Sequence, residues 1–421
     1  MIPRATYRLQ LNLGFTFQDA TRLVPYLAAL GISHVYCSPY FRARPGSQHG
    51  YDIVDHNSLN PELGTRADFD AFVDALRAHD MGHIVDFVPN HVGIMGSDNA
   101  WWTDVLENGR ASRYGDFFDI DWAPPNPTLA NKLLVPVLGG PYGSVLEACE
   151  LRLQYEAALG SFAVFYHEHR FPLDPCTYPV VLETALLQPG ADLIPAPQKL
   201  EFESLAAAFR KLPSRGCPLP EEQIERDRDK ELHKRRLATL LDVSPALRDA
   251  VEAALRLLCG NPADPHSVDA LHQLLEQQVY RLAYWRVASD DINYRRFFDV
   301  NSLAALRMEN PRVFEATHGL LLELLQKGQL DGVRLDHPDG LYDPLGYFTR
   351  LQEAAQAVRG EATFVAAGAK ELRGPGLYLL VEKILASFER LPTAWPVHGT
   401  TGYNFANVVN GVFVDGRAKT R

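Results

Sequence analysis

No apolar run in this sequence is long enough to span a bilayer. The opening, Met1-Ile2-Pro3-Arg4-Ala5-Thr6-Tyr7-Arg8, lacks the apolar core of a secretory signal. Cysteine is sparse and odd in number: Cys37, Cys149, Cys176, Cys217 and Cys259, with no C-x-x-C pair. That pattern reads as reduced thiols, so a cytoplasmic protein is expected. Base is in deficit, with 41 Lys and Arg against 52 Asp and Glu and a net charge of −11. The deficit argues against a nucleic-acid partner and suits a neutral substrate such as a sugar. Repeats and low-complexity segments are absent too. What is present is ordinary for a globular chain: 46% hydrophobic and 22% charged residues. A chain of 421 residues suffices for one large domain with an insertion, or for two or three domains.

The first ninety residues alternate strand and helix. Thr6 to Leu11 reads as a strand. Phe17 to Leu30 reads as a helix with Leu23, Leu27 and Leu30 on its apolar face, ended by Gly31. Ser33 to Ser38 is a buried strand closed by Pro39. Thr65 to His79 is a helix capped by Thr65, with Phe69, Phe72, Val73 and Leu76 facing inward. His83 to Val88 is a further strand. This order implies parallel strands covered by helices. Residues 91 to 290 break the rhythm and read as an insertion. It holds a hairpin (Leu151 to Glu156, Ser161 to His169) and a charged helical stretch, Glu221 to Leu258, whose charges read as a solvated face. The alternation then returns, with Tyr294 to Val300 a candidate strand, Pro311 to Lys327 a helix, Gly332 to Asp336 a strand, Leu345 to Val358 a helix and Leu377 to Glu382 a strand. The expected division is therefore 1–90, first part of a barrel; 91–290, inserted subdomain; 291–421, continuation of the barrel.

In a parallel α/β barrel, chemistry sits at the carboxyl ends of the strands. Three clusters fall there. Asp86 and Asn90 share one strand face, with His91 following; alone, they would cap a strand. Arg334 and Asp336 are two apart and share a face, so the guanidinium is expected to keep Asp336 ionised, as a nucleophile requires. Glu382 closes an apolar strand, where desolvation is expected to raise its pKa, as a general acid requires. If those two strands are consecutive they lie ~4.8 Å apart. Their carboxylates can then approach the ~5–5.5 Å of a retaining glycosidase pair, too close for an inverting water. His167-Glu168-His169 offers two imidazoles but no third ligand, so a strand is the plainer reading. Trp101-Trp102 suits a core as well as it suits sugar stacking.

Four blocks together resemble the α-amylase superfamily: Asp86 to His91, Gly332 to Asp336, Glu382, and Gly50-Tyr51-Asp52-Ile53-Val54-Asp55 with Asn60-Pro61-Glu62-Leu63-Gly64-Thr65. A narrower resemblance, to the maltooligosyltrehalose synthase family, runs through Tyr7-Arg8-Leu9-Gln10-Leu11 with Gly14-Phe15-Thr16-Phe17, and Ala43-Arg44-Pro45-Gly46-Ser47 with His49-Gly50-Tyr51-Asp52. It continues through Asp336-His337-Pro338-Asp339-Gly340-Leu341, Val381-Glu382-Lys383-Ile384-Leu385 and Gly399-Thr400-Thr401-Gly402-Tyr403. The resemblance implies a (β/α)8 TIM barrel of the α-amylase type with a large, mostly helical inserted subdomain. It implies an intramolecular transglycosylase acting on malto-oligosaccharides, moving the reducing-end glucose from an α-1,4 to an α,α-1,1 link. Mapped by position, Asp336 is the nucleophile, Glu382 the acid/base, and Arg334 orients and ionises Asp336. Tyr51 is a platform for the sugar, and His49, Asp52, Asp86, Asn90, His91, His337 and Lys383 are candidates for contacts around it. No cofactor, metal or membrane is expected, and a functional link to a trehalose-releasing hydrolase is implied. The superfamily's third catalytic aspartate, in a His-Asp motif near the seventh strand, has no counterpart after Glu382, and family members are longer. The chain is therefore expected to be an N-terminal portion with an incomplete barrel. Alternative expectations are an α-amylase-like hydrolase or glucosyltransferase, or an inactive glucan-binding fragment.

Overall fold

The computed structural model describes residues 2–216, 219–360, 376–416 and 418. Two compact units emerge: Met1–Gly93 with Leu303–Arg421, and Ile94–Ser302. Cys217 lies outside the described residues; Cys37, Cys149, Cys176 and Cys259 are free thiols.

The first unit is built on six strands, β1 (Thr6–Leu9), β2 (His34–Cys37), β3 (Gly82–Phe87), β4 (Gly332–Leu335), β5 (Tyr378–Val381) and β6 (Gly399–Thr400). They pair in chain order, and every pairing is parallel. Helices α1 (Phe17–Ala29), α2 (Arg66–Ala78), α3 (Pro311–Gln326) and α4 (Pro344–Arg359) form the crossovers that parallel neighbours require. This is the β/α alternation expected of a parallel barrel.

Local chemistry sets the helix bounds. Thr65 and Asp68 form a reciprocal capping box at the start of α2, and Phe69, Phe72, Val73 and Leu76 are its buried face. Those rings pack on Phe17 of α1, with Phe17 and Phe69 centroids 5.4 Å apart edge to face. The buried face of α1 differs from the expected one. It is Phe17, Ala20, Val24 and Leu27, whereas Leu30 is exposed. The large Phe17 sets the helix rotation, and small Ala20 and Val24 admit close packing on α2. The candidate strand at Tyr294 to Val300 reduces to Arg296–Phe297. The longer strand lies just after, at Val300–Ala305, where Leu303 to Ala305 pair antiparallel with His91–Gly93.

The second unit contains the hairpin, Arg152–Glu156 against Ser161–Tyr166, extended by a third antiparallel strand, His169–Pro172. His169 belongs to that third strand, while His167 lies in the connecting turn at φ +50°. Trp102 is core, edge-on to Phe118. The charged stretch forms two helices, Pro220–Val243 and Pro245–Cys259, broken where Pro245 removes a donor. The reading of its charges as a solvated face is corrected here. Arg226, Lys230 and Lys234, spaced four apart, are all buried. Arg226 reaches Asp174 at 2.7 Å and Asn108 at 3.1 Å, Lys234 reaches Glu107 at 2.6 Å, and Lys230 lies 3.6 Å from Asp104. A helical stripe of cations looks the same in sequence whether it faces water or a wall of acids.

Candidate active site

Parallel pairing sets the carboxyl ends of β3, β4 and β5 side by side. Asp86 in β3 is the register partner of Arg334 in β4. Asp336 and Glu382 follow the last residues of β4 and β5. Their N–H groups donate to Phe87 and Leu335 carbonyls, both at 2.9 Å, which carries the ladder one residue past each strand. Three acids from three neighbouring strands thereby share one mouth.

Arg334 joins them. Its Nη1 donates to Asp86 Oδ1 at 2.7 Å and to Asp336 Oδ1 at 2.8 Å, and its Nη2 pairs with Glu382 Oε1 at 2.9 Å. Asp86 is fully buried and accepts two further bonds on Oδ2, from the Tyr36 hydroxyl at 2.6 Å and the Tyr51 hydroxyl at 2.7 Å. Glu382 accepts from the His337 amide at 3.2 Å and the Tyr403 hydroxyl at 3.1 Å. His337 supplies that amide from a left-handed backbone, φ +44° and ψ +58°. Such a conformation costs a non-glycine residue about 1–3 kcal/mol and persists only where its surroundings enforce it.

Both carboxyls lie on one guanidinium, so their titrations are linked. Burial and the charge of Asp86 push the Asp336 carboxyl up to about 7, against the pull of Arg334. Glu382 goes the other way: burial raises it, but Arg334, the His337 amide and the Tyr403 hydroxyl outweigh burial and hold it below its ordinary value. Both shifts reverse the sequence expectation. Along the strand Asp336 has only Arg334 as neighbour, whereas across the sheet it meets two further acids. Glu382 is the less buried of the pair and collects three donors.

The other candidates lie around this cluster. Tyr51 touches it directly. His49 and Asp52 brace the Tyr51 loop: His49 Nδ1 accepts from the Tyr51 amide at 3.0 Å, and Asp52 accepts from Ser47. Gly50 in that loop stands at φ +80°, and a Cβ there would meet the Pro39 carbonyl oxygen at 2.4 Å. Asn90 and His91 are buried, and burial pushes the His91 imidazole down to about 3, so it is neutral. Lys383 is turned to Asp339 at 3.2 Å and Glu389 at 2.8 Å. Three residues in contact with the cluster had no role assigned from sequence, although two of them stand in the blocks that carry the resemblance: Tyr36, Tyr403, and Arg8, which lies 3.7 Å from Asp86. The usable signal was that each is a polar side chain at the mouth of the parallel sheet. Among the described residues, no group of three or more His, Cys, Asp or Glu is arranged to hold a metal ion.

Residues 16–137 match the family model for the α-amylase catalytic domain. A Mycobacterium tuberculosis protein, provisionally named a maltooligosyl trehalose synthase, is 32% identical over 98% of this chain and 38% of its own length. The maltooligosyltrehalose synthase structure from Arthrobacter ramosus is 32% identical, with a TM-score of 0.67 over 99% of this chain and 39% of that one. A Sulfolobus tokodaii structure described as a hypothetical maltooligosyl trehalose synthase is 27% identical, with a TM-score of 0.62 over 99% of this chain and 40% of that one. Over the 38% of the curated relative's length that it spans, this chain is similar in sequence and fold to the maltooligosyltrehalose synthases, and its residues 16–137 match the α-amylase catalytic domain.

Proposed function

We propose that this chain carries the catalytic pair of a retaining transglycosylase that converts the reducing-end α-1,4 link of a malto-oligosaccharide into an α,α-1,1 link. The observation that carries the reading is one guanidinium, Arg334, bound to three carboxylates on neighbouring strand ends. Two of those acids, Asp336 and Glu382, bond the two terminal nitrogens of that one guanidinium at 2.8 and 2.9 Å. That proximity favours a double displacement, since an inverting pair stands far enough apart to admit a water.

In the proposed reaction, Glu382 gives its proton to the glycosidic oxygen as the C1–O4 bond breaks. Asp336 attacks C1 and forms a glycosyl ester, and glucose is freed with its O4 protonated. The glucose turns, and its anomeric hydroxyl attacks the same C1. Glu382 takes the proton from that hydroxyl, and the ester bond to Asp336 breaks. Two displacements at C1 give net retention, and no water enters the balance. Tyr51 stacks on or borders the sugar at the cleavage point, and Arg334 stabilises the carboxylate that attacks. A proton on the pair favours Asp336 in the geometry described here, whereas the reaction needs it on Glu382. A glycosidic oxygen accepting from Glu382, and positive charge growing at C1 beside Asp336, both draw it there.

The test is incubation of the protein with maltopentaose. The reading expects a non-reducing product of unchanged mass carrying an α,α-1,1 linkage. Release of reducing ends would instead mark a hydrolase of the same superfamily. Tight glucan binding without turnover would mark a binding fragment.

A further inference from the structure

We propose that Arg8 is a positioning residue of the carboxylate cluster, fixing the two tyrosine hydroxyls on Asp86 and supplying the second positive charge against its three acids. The inference rests on the assignment of Asp336 and Glu382 as the reacting pair.

The geometry is specific. Arg8 Nη1 donates to the Tyr36 hydroxyl oxygen at 3.0 Å, and Nη2 donates to the Tyr51 hydroxyl oxygen at 3.1 Å. A guanidinium has donors only, so each tyrosine oxygen must accept from it. Each tyrosine then has one proton left to give, and each gives it to Asp86 Oδ2. Arg8 thus sets the direction of both hydroxyls. Asp86 receives only donors, which keeps it in the carboxylate form although burial raises its pKa.

Arg8 is itself held in place. Its guanidinium lies 5.0 Å from the centre of the Tyr36 ring. Its Nη2 also donates to Gln10 Oε1 at 3.0 Å, and Gln10 Nε2 reaches the Gln48 carbonyl at 3.2 Å, in the loop that carries Tyr51. Strands β1 and β2, through Arg8 and Tyr36, are therefore coupled to the sugar-facing loop.

The charge count follows. The groups facing the cluster are Tyr36 from β2, Tyr51 from its loop, Asp86 from β3, Arg334 and Asp336 from β4, Glu382 from β5 and Tyr403 from the following helix. Cys37, buried beside Tyr36 on β2, also feels Arg8 but stays a thiol because burial raises it. All three tyrosines are pushed upward and stay neutral. Three carboxylates stand against two guanidiniums, which leaves one negative charge for one proton to neutralise. A pair with one proton holds one acid and one nucleophile, which is the state a double displacement starts from. Without Arg8 the deficit grows by one, and the cluster retains its proton to higher pH and gains a second more readily.

The experiment compares Arg8→Gln and Arg8→Lys with the unaltered chain. Side-chain carboxyl carbons are titrated by 13C NMR, with Asp336→Asn and Glu382→Gln chains as assignments, and KM for maltopentaose is measured alongside. In Arg8→Gln the upper titration step of the pair should move alkaline by about one pH unit. Its KM should rise about tenfold as Tyr51 loses its anchor. Arg8→Lys should keep the wild-type titration but not the wild-type KM, because an ammonium supplies the charge without the two-pronged fork. A wild-type titration in Arg8→Gln overturns the proposal. If that variant does not fold, Arg8→Lys decides: a titration displaced from wild type, or a wild-type KM, overturns it. The titration needs no turnover, so failure of the transglycosylase reading would show separately, as an unaltered chain that leaves maltopentaose unchanged.

Discussion

Replacing Arg334 with glutamine gives the sharpest electrostatic test of the site. The side chain is buried and contacts Asp86, Asp336 and Glu382 at 2.7, 2.8 and 2.9 Å. Removing one partner of a buried pair costs about 3–5 kcal/mol, because the partner charge is stranded. Here three carboxylates would be stranded, and they would take up protons to reduce their repulsion. In the variant their native pKa values rise above those of the unfolded chain, so the native state binds more protons than the unfolded state. Stability then falls as pH rises through the window from about 4 to the raised pKa values. For each extra proton held across the interval from pH 5 to pH 7, the difference amounts to about 2.7 kcal/mol, two units at about 1.36 each. The variant should therefore be only mildly destabilised at pH 5 and severely at pH 7. Urea unfolding of both chains at the two pH values measures this. An equal loss at both would refute the reasoning and reduce Arg334 to a packing role.

Three further outcomes are expected. Asp336→Asn should abolish turnover of maltopentaose while leaving its binding largely intact, by calorimetry, because the amide keeps the shape but cannot attack C1. The pH profile of kcat/KM should be a bell, since the reacting state carries one proton on the pair. Its alkaline limb should fall near 7, where the Asp336–Glu382 pair gives up that proton, and its acid limb should lie below the ordinary glutamate value. In the second unit, Arg226→Met should cost about 1–3 kcal/mol in urea unfolding, because buried Asp174 loses one of its two guanidinium partners and keeps Arg215, whereas exposed Arg228→Ala should change stability by no more than about 0.5 kcal/mol.

Much of the first unit was legible because its strands are short, apolar and punctuated. Asp86, Asp336 and Glu382 each sit where an apolar run stops, and parallel β/α order puts such stops at one end of the sheet. What was not legible depends on neighbours across strands. Tyr36 is a strand residue like any other until Asp86 is set 2.6 Å from its hydroxyl. Arg8 reads as an alternating polar position in β1 until register makes it the partner of Tyr36. The direction of the Asp336 shift depends on Asp86 and Glu382, which lie 250 residues upstream and 46 downstream in the sequence. The buried cations of the helix Pro220–Val243 were misread for the same reason, since their acids come from Asp104, Glu107 and Asp174. On α1, periodicity marked an apolar stripe, but the size of Phe17 against α2 chose which side of it faces inward.

The central claim is that Asp336 attacks C1 and Glu382 handles the proton. A 5-fluoro-α-glucosyl fluoride tests it directly: the fluorine slows breakdown of the glycosyl ester, and the fluoride leaves without needing an acid. Incubation with the protein, digestion and mass spectrometry locate the sugar. The account predicts one glycosyl group on the peptide containing Asp336, absent in Asp336→Asn and still formed in Glu382→Gln. A sugar attached at Glu382, or labelling that survives Asp336→Asn, would contradict it.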